Sequence, residues 1–288
     1  QRQMCIRDSP FGVEVANSRH VEAALGAGAD MVWIGARTTG NPFSVQEVAD
    51  ALRGTEVLVL VKNAQMPDTG LWTGAVERML TAGVGPERLV LVHRGFAQTS
   101  GNEYRNPPVW HVALEMRRRF PELKMLCDPS HICGRREGLA ATAQKAADLS
   151  YDGLFMESHV RPDEALSDAA QQVTPEQLGE LLAGIRWRRE TVDVPQFEAD
   201  MERLRLEIDQ IDAQLFALLL RRMGIAEDIG RIKRENDVII LQRRRWDEIV
   251  DNMVARAGEL GLSPEFIRTI LDAIHMESIA RQNVVMNP

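Results

Sequence analysis

Six short apolar runs, separated by amphipathic stretches, constrain this chain more than any other feature. They are GVEVA (12–16), MVWIGA (31–36), VLVLVK (57–62), LVLVH (89–93), KMLCD (124–128) and GLFME (153–157). The segments 19–25, 44–52, 108–119 and 136–147 between them read as helices. Buried strands alternating with helices make repeated βα units around a parallel sheet. Nearly every run ends in a polar group: Glu14, Arg37, Lys62, Arg94, Asp128 with His131, and Glu157. A (β/α)8 barrel carries its chemistry at the C-terminal ends of all its strands, whereas a doubly wound sheet concentrates ligand groups at a switch point. Polar groups at every strand end favour the TIM barrel. Six strands fall short of eight, and residues 10–186 fall short of the roughly 250 typical of that fold. Two readings therefore stand: a barrel lacking its first two βα units, or a six-stranded open sheet complete as written. Residues 1–9 (QRQMCIRDS) show no strand or helix logic and are expected to be a leader foreign to the fold.

The texture changes after Arg186. Residues 187–195 read as a polar linker, and Pro195 suits a first helical turn. From Phe197 to about Arg234 apolar residues recur at helical spacing without an interrupting proline. A second helix is expected over 244–259. A third opens at Ser263-Pro264-Glu265, an N-cap followed by proline, and runs to about Asn283. The first helix, at ~55 Å, is longer than one small domain is wide, so a second copy of the chain is expected to cover it. Residues 196–288 thus form an all-helical domain. Net charge is −8, shared equally by the parts before and after Pro195, which argues against a nucleic-acid partner. No apolar run approaches the ~18 residues of a membrane span. Three cysteines (Cys5, Cys127, Cys133) make a disulfide framework improbable and suit a reducing cytosol.

Two constellations fall in the first part. His131 (DPSH), Glu157 (MESH) and Asp168 (LSDAAQQ) have metal-ligand character and are expected at strand ends, on the functional side of the sheet. A His/Glu/Asp set suits Mn²⁺, Fe²⁺, Co²⁺ or Zn²⁺ acting as a Lewis acid on a carbonyl. Cys127 and Cys133 flank His131, but their spacing does not match ordinary zinc pairs. Arg37, Lys62 and Arg94 end three successive strands and converge on one mouth, an arrangement that grips a small polyanion.

WIGARTTGNPFSVQE, LVKN, HRGF, CDPSHICGRR and DGLFMESHVRPDEALSDAAQQVTP resemble the type I 3-deoxy-D-arabino-heptulosonate-7-phosphate (DAHP) synthase family, in its β-type branch, over about residues 10–184. The resemblance implies condensation of phosphoenolpyruvate with erythrose 4-phosphate. It makes Arg37, Lys62 and Arg94 phosphoenolpyruvate contacts, Lys62 and His131 catalytic, and His131, Glu157 and Asp168 three of four metal ligands. The family's fourth ligand, a cysteine in Gly-Pro-Cys, and its Lys-Pro-Arg-Thr phosphate loop have no counterpart here, so little condensation is expected of these residues alone. A runner-up is a 3-deoxy-octulosonate 8-phosphate synthase, against which NPFSVQE and the helical appendage argue.

In the helical part Arg205, Arg222 and Lys233 lie at intervals of 17 and 11 residues, the second of them about three whole turns, and Ser278 and Gln282 share a face. Spacing alone favours a solvated charged stripe. RLEIDQID, with LLRR and a lysine following it, resembles the helical-type chorismate mutase domain over about residues 196–283. That resemblance implies Arg205 and Arg222 as carboxylate clamps, Lys233 and Gln282 as catalytic donors to the ether oxygen, and Gln242, Arg245 and Ser278 as further contacts. No cofactor is implied in this domain. Trp246 stands where the family often has glutamate. The joint expectation is a cytoplasmic shikimate-pathway fusion, homodimeric through the helical domain. A helical domain that senses chorismate or prephenate instead of converting it is the alternative.

Overall fold

The computed structural model describes residues 9–97 and 103–287, so Cys5 and most of the expected leader lie outside the described residues. The chain divides into two compact units, Gln1–Glu190 and Thr191–Pro288.

The first unit is built on a six-stranded sheet: β1 (Gly12–Val15), β2 (Met31–Ile34), β3 (Leu58–Lys62), β4 (Leu89–His93), β5 (Lys124–Cys127) and β6 (Gly153–Leu154). The strands pair in sequence order and every pair is parallel. Between them run α1 (Ser18–Gly26), α2 (Ala36–Thr39), α3 (Pro42–Ala51), α4 (Thr69–Thr81), α5 (Trp110–Arg119), α6 (Pro129–Cys133) and α7 (Leu139–Asp148), with α8 (Pro175–Gly184) after β6. Alternation along the strands sends Val15, Val32, Ile34, Val59, Val61, Leu89, Leu91 and Met125 into one core with Val48, Trp72, Met79, Met116 and Leu139 from the helices. A single helix-covered face and a strand order without reversal are what consecutive units of a barrel produce, and not a doubly wound sheet.

The sheet also curls. Trp33 of β2 meets Phe155, just beyond β6, edge to face with ring centroids 5.6 Å apart. Four interstrand spacings would hold them about 19 Å apart on a flat sheet. The result is an incomplete parallel sheet consistent with part of a TIM barrel; among the described residues β1 and β6 keep open edges.

Three local expectations need correction. The run 153–157 forms a ladder only over Gly153–Leu154, because β6 has a partner on one side only. Asp168 sits at no strand end: it lies in the loop after β6, in left-handed backbone (φ 49°). The helix α4 lies outside the four segments singled out from sequence, since Gly70, Gly74 and three threonines dilute its apolar spacing. Trp72 nevertheless anchors it, fully buried with its indole N–H donating to the Val61 carbonyl at 3.2 Å.

His93 on β4 faces this core. Its Nδ1 lies 2.8 Å from the Tyr151 hydroxyl and its Nε2 2.6 Å from the Pro108 carbonyl. A carbonyl only accepts, so Nε2 carries the proton and Nδ1 accepts from the phenol. Burial pulls the histidine from 6.5 down to about 4. The unfolded chain therefore takes up a proton that the folded chain refuses, and stability falls as pH drops from about 6.5 to 4. That difference corresponds to about 3 kcal/mol. Urea midpoints of His93→Gln should lose correspondingly less across this window than those of the parent chain; parallel acid profiles would refute the assignment.

The second unit is helical: α9 (Pro195–Glu235), α10 (Arg243–Ala255), α11 (Ala257–Leu260) and α12 (Pro264–Met286). The helix expected over 244–259 is broken at Arg256, which separates α10 from α11. Ser263 caps α12 by accepting the Phe266 N–H at 3.2 Å. With 41 residues α9 extends ~62 Å. Its buried residues, Met223, Ala226, Gly230 and Lys233, all lie towards its C-terminal end, where α12 packs. A Cβ at Gly230 would stand 3.2 Å from the Gln282 Cα, so the missing side chain permits that close approach. Further towards the N-terminus Leu204, Leu206, Ile208, Ile211, Leu215, Phe216 and Leu218 are exposed.

Candidate functional site

At the C-terminal ends of the strands a cavity of about 260 Å³ gathers Glu14, Arg37, Lys62, Gln65, Arg94, Arg105, His131 and Asp168. All three cations expected from the strand ends line it. Lys62, nearly buried, donates to Asp128 Oδ2 at 2.9 Å and stands 4.1 Å from the Phe155 ring centre. Asp128, fully buried, caps α6 by accepting the His131 backbone N–H at 3.0 Å. Its Oδ2 also lies 2.8 Å from His131 Nδ1, close enough to orient the ring by charge but without hydrogen-bond alignment. Burial pushes the Asp128 carboxyl up, and contact with His131 and the Lys62 charge outweigh it, leaving the group below the usual carboxylate range. Arg94 is held by its backbone N–H on Asn63 Oδ1 at 2.7 Å, while its Nη1 is buried with no hydrogen-bond partner among the described residues. Burial lowers its pKa, the Asp128 and Asp168 charges oppose this, and the guanidinium stays charged with a donor to spare in the cavity.

His131, Glu157 and Asp168 offer ligand atoms within 4.8 Å of one another. An imidazole and two carboxylates at that spacing fit a divalent ion. His131 Nε2 lies 3.4 Å from Glu157 Oε1, Glu157 accepts from Gln171 Nε2 at 3.0 Å, and its backbone N–H donates to Ser130 Oγ at 3.0 Å. Asp168 accepts from Arg105 Nη1 at 2.6 Å, and that hydrogen bond foremost lowers its pKa. Sequence reasoning missed Arg105 and Gln65. Both lie in loops, where no periodicity marks which residue turns inward; the position of Glu14 at a strand end was the one signal for it. Cys127 and Cys133 are buried free thiols.

A second cavity, of about 280 Å³, lies within the helical unit. Arg222, Lys233, Gln242, Arg245, Ser278 and Gln282 line it together, brought from α9, the α9–α10 turn, α10 and α12. Arg222 donates to Ser278 Oγ at 2.5 Å, and Lys233 donates to the Ile240 carbonyl. Burial lowers the Lys233 pKa. Gln282 Oε1 is buried without a hydrogen-bond partner among the described residues. Arg205 is absent from this cavity; it lies 28 residues, or ~42 Å, back along α9. His275, which sequence reasoning did not anticipate, stacks on Trp246 with ring centres 3.8 Å apart and planes 13° apart. Burial, then the Arg222 charge, lowers the His275 pKa, which favours the neutral ring. Nothing in its spacing on α12 distinguishes His275 from a surface residue.

Comparison with known proteins covers both units. Residues 5–192 match the family described as DAHP synthetase I, and residues 204–283 match chorismate mutase type II. A phospho-2-dehydro-3-deoxyheptonate aldolase of Thermotoga maritima is 30% identical over 154 residues, covering 54% of this chain and 43% of the relative. A 4-amino-4-deoxychorismate mutase of Streptomyces pristinaespiralis is 32% identical over 78 residues, 27% of this chain and 60% of that protein. The chain thus spans less than two thirds of either relative. A solved truncated form of the Thermotoga maritima DAHP synthase superposes with a TM-score of 0.52 at 25% identity, covering 60% of this chain and 62% of that one. No described helix is long and apolar enough to cross a membrane. The chain belongs to the DAHP synthetase I family and joins to that unit a chorismate-mutase-like helical unit.

Proposed function

We propose that the helical unit rearranges chorismate to prephenate, and that the other unit is the phosphoenolpyruvate- and metal-binding part of a barrel that condenses phosphoenolpyruvate with erythrose 4-phosphate. The observation that carries the first half is the convergence of Arg222, Lys233, Gln242, Arg245, Ser278 and Gln282 on one cavity. A Claisen rearrangement needs no nucleophile or general base. It needs cations and donors preorganised around a charge-separating transition state, and this cavity holds three cations and two amides. A dianionic substrate placed there meets Arg222 with one carboxylate and Lys233 and Gln282 with its ether oxygen, leaving the other carboxylate for Arg205. Arg205 then enters from the partner of a two-fold dimer, whose interface would cover the exposed apolar face of α9.

In the barrel unit Arg37, Lys62 and Arg94 bind the carboxylate and phosphate of phosphoenolpyruvate, with the free Arg94 Nη1 as an available donor. Mn²⁺, Fe²⁺, Co²⁺ or Zn²⁺ held by His131, Glu157 and Asp168 would polarise the aldehyde carbonyl of the second substrate. Asp128 holds Lys62 and His131 facing the same space. These activities place the protein in aromatic amino-acid biosynthesis, in the cytoplasm.

Loss of chorismate absorbance on adding the purified 288-residue chain tests the first half, with sedimentation on the same sample. Turnover by a dimeric species is expected. Tight prephenate binding without turnover would make the unit a sensor, and turnover by a monomer would remove the partner's Arg205.

A further inference from the structure

The segment carrying Arg105 is built into the mouth of the first cavity. The Arg105 and Asn106 N–H groups donate to the Cys133 and Ile132 carbonyls at 3.3 and 3.0 Å, and Asn106 Nδ2 donates to the His131 carbonyl at 2.7 Å. Two glycines make room for it. A Cβ at Gly95 would stand 2.1 Å from the Asn106 carbonyl oxygen, and one at Gly134 would stand 2.4 Å from the Arg105 Cβ. Both glycines have positive φ, 76° and 68°, which a side chain would strain in any case. The backbone beneath Arg105 is thus fixed against the loop that carries His131, while the side chain is half exposed and free to choose partners.

Its present partners are Asp168 Oδ1 at 2.6 Å and Gln171 Oε1 at 3.0 Å. Asp168 is one of the three candidate metal ligands, and Arg105 lines the same cavity as Arg37, Lys62 and the unanswered Arg94 Nη1. A guanidinium and a divalent cation on one carboxylate repel each other, so Asp168 favours one of them at a time.

We propose that Arg105 is a shared cation of this site: it neutralises Asp168 before a divalent ion binds, and turns to the anionic substrate once the ion has taken Asp168. This rests on the reading of His131, Glu157 and Asp168 as a metal site beside an anion-binding mouth. Metal binding thereby frees a fourth cation for the anion, and the anion, by holding Arg105, favours the metal in equal measure. Both bonds leave one guanidinium nitrogen, Nη1, and a guanidinium carries further N–H donors that can serve an anion.

The test measures two affinities on the full chain, Mn²⁺ alone and phosphoenolpyruvate at saturating Mn²⁺. Arg105→Gln should bind Mn²⁺ about two- to five-fold tighter, the range of a partly exposed ion pair. It should bind phosphoenolpyruvate about ten-fold weaker, as for loss of a charged hydrogen bond. Arg105→Lys should fall between, and Arg37→Gln should weaken the anion without matching the gain in Mn²⁺ affinity. Affinities that move in opposite directions are the signature; weakening of both, or unchanged Mn²⁺ affinity, would reduce Arg105 to a support of its loop and overturn the proposal. His131→Ala must lose Mn²⁺ affinity. Retention there would overturn the metal site itself, and is distinguishable from a failure of Arg105 alone.

Discussion

Lys233→Ala is expected to lower kcat for chorismate rearrangement by about 100- to 1000-fold, the usual cost of removing one preorganised donor to developing negative charge. The ammonium lies in the helical cavity and its contact there, the Ile240 carbonyl, belongs to the neighbouring turn, so α9 and α12 should remain paired by circular dichroism. Arg205→Ala should lose turnover comparably, although it lies ~42 Å away along the same helix. The two inactive proteins then complement each other. After subunit exchange half of randomly paired dimers are mixed, and each mixed dimer has one site with both residues intact. Roughly a quarter of all sites should therefore recover. Demonstrated exchange with no recovered turnover would place both residues in one chain's site, or remove one of them from the site altogether.

Asp128→Ala is the substitution expected to cost the barrel unit most, about 3–5 kcal/mol, because it leaves the nearly buried Lys62 ammonium without its counter-charge. It also releases the His131 ring and removes the cap of α6, so Mn²⁺ binding should weaken along with stability. Lys62→Met restores much of the lost stability in the double variant, since a matched apolar group no longer requires compensation, but it restores no anion binding. Urea unfolding of the four proteins measures the coupling. If the two single losses simply add, Asp128 and Lys62 act independently, against the geometry.

Lys62 and Arg94 were legible because they stand at or just past strand ends, which parallel βα units align on one side; His131 reaches the same side from α6, directly after β5. The same logic carried Glu157, whose strand is shorter than its apolar run implies. It failed for Asp168 and for Arg105, which reach the cavity from loops. A loop residue's direction follows from what its backbone can lean on, here Gly95 and Gly134 on other segments, and no local pattern records that. In the helical unit the 11-residue spacing of Arg222 and Lys233, about three turns, put them on one face of α9, whereas Arg205, 17 residues or about 4.7 turns before Arg222, lies off that face. The packing of α12 at the C-terminal end of α9 makes the cavity that those two line and Arg205 does not.

By itself, then, the sequence determined the alternation of strand and helix, the all-helical C-terminal part, and the residues that face inward from regular elements. Each of these follows from short-range periodicity and from where apolar side chains must be buried. The tertiary structure alone decided the curl that brings Trp33 to Phe155, the capture of Asp168 by Arg105, and the stacking of His275 on Trp246. Those depend on segments distant in the chain approaching at a particular angle. Such approaches are set by summed packing across the whole unit, to which any one stretch of sequence contributes only a part.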